Sequence, residues 1–204
     1  GRLSAAWDAY QAGLLAAEAR GWLLPQVELR LRLARIHHDV GDEAGAVAQT
    51  RAGQVTATVA VLAGLSADPR PEQAQMATAA AQTALRQRRL ADARTSFEEA
   101  RRLWAAVAEE QPWNVEVQVN HGISLIAAGI GQRPFSPSLA EAHLAQAIAI
   151  LTEAIDAHPR QAVWLERLRV ARREQVAVWL QLHRRNDAAV ALAELLADLQ
   201  AAAI

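Results

Sequence analysis

Apolar positions along this chain recur at spacings of three, four and seven, the mark of one face of an α-helix, and not at the spacing of two that marks a strand. The clearest run places Ala147, Leu151 and Ala154 on one helical face and is followed by Pro159, which has no N–H with which to continue a helix. Upstream, Gly122 stands where a neighbouring helix would come close, Leu125 follows, and Gly129 is expected to end that first helix. Two helices joined this way form a hairpin. Looser copies run through Leu33, Ala34, Gly41, Ala46, Thr50 and Gly53, and through Ala81, Ala84, Ala93, Phe97 and Ala100. A last copy uses Val178, Leu182, Ala191 and Leu195, but Trp179 stands where a small residue is expected and Asp198 replaces the closing alanine. The opening segment, with Ala6, Tyr10 and Gly13, has the spacing of a second helix. The chain is therefore expected to begin inside a unit, with Gly1 at the turn between paired helices and the unit's first helix absent.

The alanine that opens each second-helix face falls at Ala6, Ala46, Ala93, Ala147 and Ala191, intervals of 40 to 54 residues. In one copy the excess is a longer second helix, whose apolar face continues through Leu103, Trp104 and Val107 to Pro112. In the next it is read as an inserted loop, 130–138, closed by Ser138 and Glu141 at capping-box spacing. The polar stretches 66–71, 111–112 and 158–160 read as turns between units and not as domain boundaries. The result is a single array over 1–204, with units at 1–19 (second helix only), 23–66, 71–111, 113–158 and 160–204.

The pattern of Gly122, Leu125, Gly129, Ala147, Leu151, Ala154 and Pro159 resembles the tetratricopeptide repeat (TPR), a family defined by small and large positions at these offsets. The intervals exceed that family's usual period of roughly 34 residues. The resemblance implies an all-α, right-handed solenoid of helical hairpins, about four and a half repeats long, that binds partners on the concave surface lined by its first helices. On that register the binding candidates are Leu31, Arg35 and His38, then Gln75, Thr78 and Gln82, then Glu116, Val119 and Ile123, then Arg173. TPR proteins that clamp a chaperone carboxylate use lysine and asparagine at such sites; here Leu31, Arg35, Val119 and Ile123 stand there, so that role is not expected. The long unit ending near Pro112, Trp113 and Asn114 is also similar to TPR arrays that follow bacterial serine/threonine kinase domains. No glycine-rich phosphate loop, catalytic His-Arg-Asp or Asp-Phe-Gly accompanies it.

Composition strengthens the helical reading, because 48 of the 204 residues are alanine, the best helix former. All 21 basic residues are arginine and they offset 22 acids to a net charge of −1, which gives no electrostatic footprint for nucleic acid. The arginine and alanine bias points to a high-GC bacterial genome. Cysteine is absent, so disulfides, thiolate zinc sites and thiol catalysis are excluded. No apolar run approaches the roughly 20 residues of a membrane span. A cytoplasmic location is expected, or a periplasmic one if the parent protein is membrane-anchored.

Candidate chemistry is sparse. His37 and His38 are adjacent, and on a helix adjacent side chains diverge by about 100°, so they lack metal-ligand spacing. Glu98, Glu99, Glu109 and Glu110 have no nucleophile or orienting partner beside them and read as a solvated face. No cofactor and no catalytic residue is expected. Arg86, Arg88 and Arg89, and the stripe of Arg169, Arg172 and Arg173, suit helix ends or an acidic partner segment. Trp7, Trp104 and Trp164 are expected in the core, while Trp22 and Trp113 fall near turns and are expected to be partly exposed. Phe135, with no apolar sequence neighbour in its loop, is an additional partner-anchor candidate. The sequence thus suggests a non-catalytic scaffold for a protein or peptide partner. The alternatives are a regulatory or ligand-sensing region of a bacterial signalling enzyme, and a homo-oligomerisation module using the uncapped final helix.

Overall fold

The computed structural model describes residues 2–64, 68 and 70–201, with the side chains of 2, 61 and 197–201 excepted. The expectations for Gly1, for the Ser66 end of the first linker and for the side chain of Asp198 lie outside the described residues. Among these residues there are nine helices and no strand: α1 (Arg2–Ala19), α2 (Leu23–Asp39), α3 (Glu43–Leu62), α4 (Arg70–Arg86), α5 (Leu90–Glu110), α6 (Val115–Gln132), α7 (Pro137–Ala157), α8 (Ala162–Gln181) and α9 (Arg185–Ala201). None is long and apolar enough to cross a membrane.

The chain forms two compact units, 1–103 and 104–204, which divide within α5. In the first, α1 packs on α2, α2 on α3, α3 on α4, and α2 also reaches α4. In the second, α6 packs on α7, α7 on α8, α8 on α9, and α6 also reaches α8. Each unit therefore packs neighbouring helices in chain order and adds one contact between alternate helices.

Small residues make this close stacking workable. Ala46, Ala81, Ala84, Ala93, Phe97 and Ala100 are all buried in the first unit, as the spacing predicts. In the second, Leu125, Leu144, Ala147, Leu151, Leu168, Ala171 and Val178 join one core cluster. Trp104 is buried and Trp7 and Trp164 are half-buried, whereas Trp22 and Trp113 are exposed.

Four turns share one geometry. The residues at Gly21, Gly41, Arg88 and His183 take positive φ, at 66°, 81°, 56° and 60°. In each the following N–H reaches back five residues: Trp22 to Ala17, Asp42 to His37, Arg89 to Ala84 and Arg184 to Trp179, at 2.8–2.9 Å. This is the Schellman closure, in which a left-handed residue lets the chain satisfy the last carbonyls of a helix. The residue that makes the long bond then accepts the first backbone bond of the next helix: Trp22 from Gln26, Asp42 from Ala46, Arg89 from Ala93 and Arg184 from Ala188.

Three expectations are corrected around α6 and α7. Gly129 does not end a helix; α6 runs on to Gln132, and Gly129 is buried where a Cβ would lie 2.9 Å from Leu144 Cγ. The expected loop 130–138 shrinks accordingly to the turn 133–136. The capping box at Ser138 and Glu141 does not form, because α7 starts two residues earlier, with Ser136 as N-cap and Pro137 in the first turn. Proline suits that position because its fixed φ is helical and its missing N–H would have had no partner. Glu141 is instead drawn to Trp179 and Arg184.

Candidate functional site

In the first unit the structure brings together four of the predicted residues. Leu31, Arg35 and His38 of α2 and Gln82 of α4 line a narrow cleft of about 30 Å³, floored by Thr50 of α3 and Thr83 of α4. They meet because α2 and α4, two helices apart in sequence, are in contact. Leu31 and His38 are half-buried, while Arg35 and Gln82 are exposed on the rim.

The polar atoms of the cleft divide into two kinds. Thr50 Oγ1 donates to Ala46 O at 2.8 Å and Thr83 Oγ1 to Ala79 O at 3.0 Å, so both hydroxyl protons are committed to their own helices. His38 Nδ1 is buried and has no hydrogen-bond partner among the described residues. A buried polar atom without a partner costs free energy, on the order of 1–3 kcal/mol, until something supplies one. The backbone around it is fixed by the Arg86 guanidinium, which donates to His38 O. The cleft volume matches about one water molecule, so the space beside His38 admits at most a small polar group.

His37, beside it, faces a different set of groups. Its Nδ1 lies 2.7 Å from Asp42 Oδ2, and Trp7 meets its ring edge-on with centroids 4.5 Å apart. Asp42 also accepts from Gly45 N–H at 2.9 Å and so caps α3. The Gly45 N–H bond, followed by the His37 bond, holds the Asp42 carboxyl below its ordinary value. This is a structural joint between α1, α2 and α3. Among the described residues no group of three or more histidine, aspartate or glutamate side chains is placed to hold a metal ion.

The remaining predicted residues do not join this cleft. Gln75 is exposed and Thr78 is half-buried on α4, where the Thr78 hydroxyl donates to Ala74 O at 2.9 Å. Glu116, Val119, Ile123, Phe135 and Arg173 belong to the second unit. Val119 is corrected from a surface position to a core one, 3% exposed and part of the main cluster, against which Ile123 also packs. Glu116 and Arg173 are exposed, and Arg173 pairs with Glu174 at 3.4 Å. Phe135 is half-exposed in the α6–α7 turn, its N–H bonded to Gln132 O at 2.9 Å.

One recess escaped the sequence reading. Gln54 and Thr58 of α3, Gln73 and Met76 of α4, and Ser96 and Glu99 of α5 line a hollow of about 300 Å³. Its only sequence signal is Gly53, where a Cβ would lie 2.7 Å from Met76 Cε. That glycine lets α4 sit close to α3 and the polar side chains diverge beyond it.

Compared with known proteins, no family model matches the chain, and no curated protein or solved structure is significantly similar to it.

Proposed function

We propose that this chain is a non-catalytic interaction module, a TPR-like right-handed solenoid of helical hairpins in which a protein or peptide partner lies across the exposed rim of the α2–α4 cleft and presents one small polar group to it. The observation that carries the reading is the convergence of Leu31, Arg35, His38 and Gln82 on one cleft with a buried, unpartnered His38 Nδ1. An apolar wall, an exposed guanidinium and an exposed amide suit an extended backbone with an acidic side chain, and a polar group of that segment completes His38. Displayed random peptides selected on the full chain test this. Enriched peptides should carry acidic residues and bind R35A or Q82A about tenfold more weakly. Peptides whose affinity ignores both substitutions would overturn the reading.

A second reading, self-association, is supported by α9, where Leu192 and Leu196 are both about half exposed one helical turn apart. Light scattering of the wild-type chain and of L192E/L196E tests it. A dimer that the double variant dissolves supports the reading, and a monomer at high concentration removes it.

A further inference from the structure

At the end of the α6–α7 hairpin lies a second cleft, of about 240 Å³, lined by Pro112, Val115 and Gln118 on one side and by Ile150, Glu153 and Ala154 on the other. Its walls are apolar and its charged lining group is Glu153. Gln118 donates its side-chain N–H to Ala108 O at 2.9 Å, so its amide nitrogen is already used and only its side-chain oxygen can accept from an incoming group. Between the lining residues Pro112 and Val115, Trp113 stands 77% exposed.

Most of the charged residues on the segments around this cleft are acidic. Glu109 and Glu110 end α5, Glu116 opens α6, and Glu153 and Asp156 lie near the end of α7. Helix C-termini carry partial negative charge and favour cations, yet neither α5 nor α7 has a basic residue in its last turn. Between Arg102 and Arg160 the sequence has one arginine, Arg133. It sits past the far end of α6, about 27 Å away by helix length, and is paired with Glu174 at 2.7 Å. The positive N-terminus of α6 is met by the side chain of Asn114, which accepts from Val117 N–H, and by Glu116. The nearest basic residue in sequence is Arg160, exposed in the α7–α8 turn; His158 in that turn stacks edge-on against Trp164 at 5.8 Å.

We propose that this cleft docks a basic partner peptide by taking one of its arginine or lysine side chains. The long aliphatic stem lies along Pro112, Val115, Ile150 and Ala154, and the charged head meets Glu153. The exposed indole of Trp113, next in sequence to the lining Pro112, offers a face that attracts a cation. The volume supports a single side chain, being below the roughly 300–1,000 Å³ of sites for drug-sized molecules. Nucleic acid and anionic membranes, both negative, are repelled by the same carboxylates. This site lies in the other unit from the α2–α4 cleft and prefers the opposite charge, so either can fail without the other.

Isothermal titration calorimetry of the full chain with a twelve-residue peptide of alternating arginine, leucine and alanine tests the proposal, against the same peptide with glutamate replacing arginine. The arginine peptide should bind at least about tenfold more tightly and weaken with salt. W113A and E153Q should each weaken it about tenfold, while E194Q, an equal charge loss on α9, should leave it unchanged. Circular dichroism establishes that the variants are folded. Equal binding by all variants would show diffuse attraction to an acidic protein and overturn the proposal. So would absence of binding, preference for the glutamate peptide, or a dimer of the chain that W113A dissolves.

Discussion

Trp179 donates its indole N–H to the carboxylate of Glu141 at 2.7 Å, joining α8 to α7. The Arg184 guanidinium bonds the same carboxylate and lies 5.2 Å from the Trp179 ring centroid. The ring also packs on the cluster of Val176, Ala188 and Leu195. A tryptophan can therefore stand where the repeat pattern expects a small residue, because its polar edge has a partner and its face has a cation. Substituting W179F keeps most of the packing and removes the bond, and should lower unfolding stability by about 1 kcal/mol in urea titration. W179A should cost more, since it also opens a cavity.

The left-handed turns offer a cleaner test of backbone energetics. A methyl group at Gly41 would meet nothing within 4 Å, so G41A perturbs φ alone and should destabilise by about 1 kcal/mol. Arg88 and His183 hold the same φ with a Cβ. R88G and H183G should be neutral or stabilising by up to about 1 kcal/mol, the relief of strain being partly offset by the freer unfolded chain. Thermal unfolding of the three variants checks the opposed signs.

Gly122 and Gly129 share the α6–α7 interface but differ in clearance. A Cβ at Gly122 would lie 3.3 Å from Ile150 Cγ2, whereas at Gly129 it would lie 2.9 Å from Leu144 Cγ and 3.3 Å from the backbone oxygen of Ala140. Alanine improves helix propensity by about 1 kcal/mol at both positions. Overpacking costs about 1–3 kcal/mol. G129A should therefore lower the urea midpoint and G122A should change it little.

Asp42 predicts a pH effect. Its folded carboxyl is held below the ordinary value of about 3.9, so its contribution to stability is present above that pH and is lost as pH falls toward the folded value. D42A should be less stable than wild type at pH 6, and the gap should narrow by pH 3. Urea midpoints at the two pH values measure it, and a constant gap would show that charge is not involved.

Much of the helical plan is legible from small-residue spacing, because Ala93, Phe97 and Ala100 on α5, and Ala147 and Leu151 on α7, each mark the one buried face of their own helix. Gly129 misleads because glycine signals both a helix end and a close approach, and sequence spacing does not separate the two. Ser138 and Glu141 have the right spacing for a cap, but Pro137 already fixes the first turn. Val119 differs from expectation for another reason. Val117, Val119, His121, Gly122, Ser124, Leu125 and Ile126 are all buried, so α6 has little open face for a period of 3.6 to reveal. On α2 and α4 a buried stripe alternates with an exposed one, so the spacing alone places Arg35, Gln75 and Gln82 at the surface. The acidic cleft beside Trp113 is invisible in the sequence because its two walls, at Val115 and Ile150, are far apart along the chain and carry no shared motif.

At Trp22, Asp42, Arg89 and Arg184 a single residue closes one helix and opens the next, which leaves those joints no slack. One inserted residue there would displace the shared bond and turn the following helix by about 100°. Length variation among natural relatives should therefore avoid these joints and fall instead at turns such as those at Pro112 and Pro159, where no single residue both closes one helix and opens the next. Those same turns are the places at which a sequence of this kind can acquire new loops without changing how its helices meet.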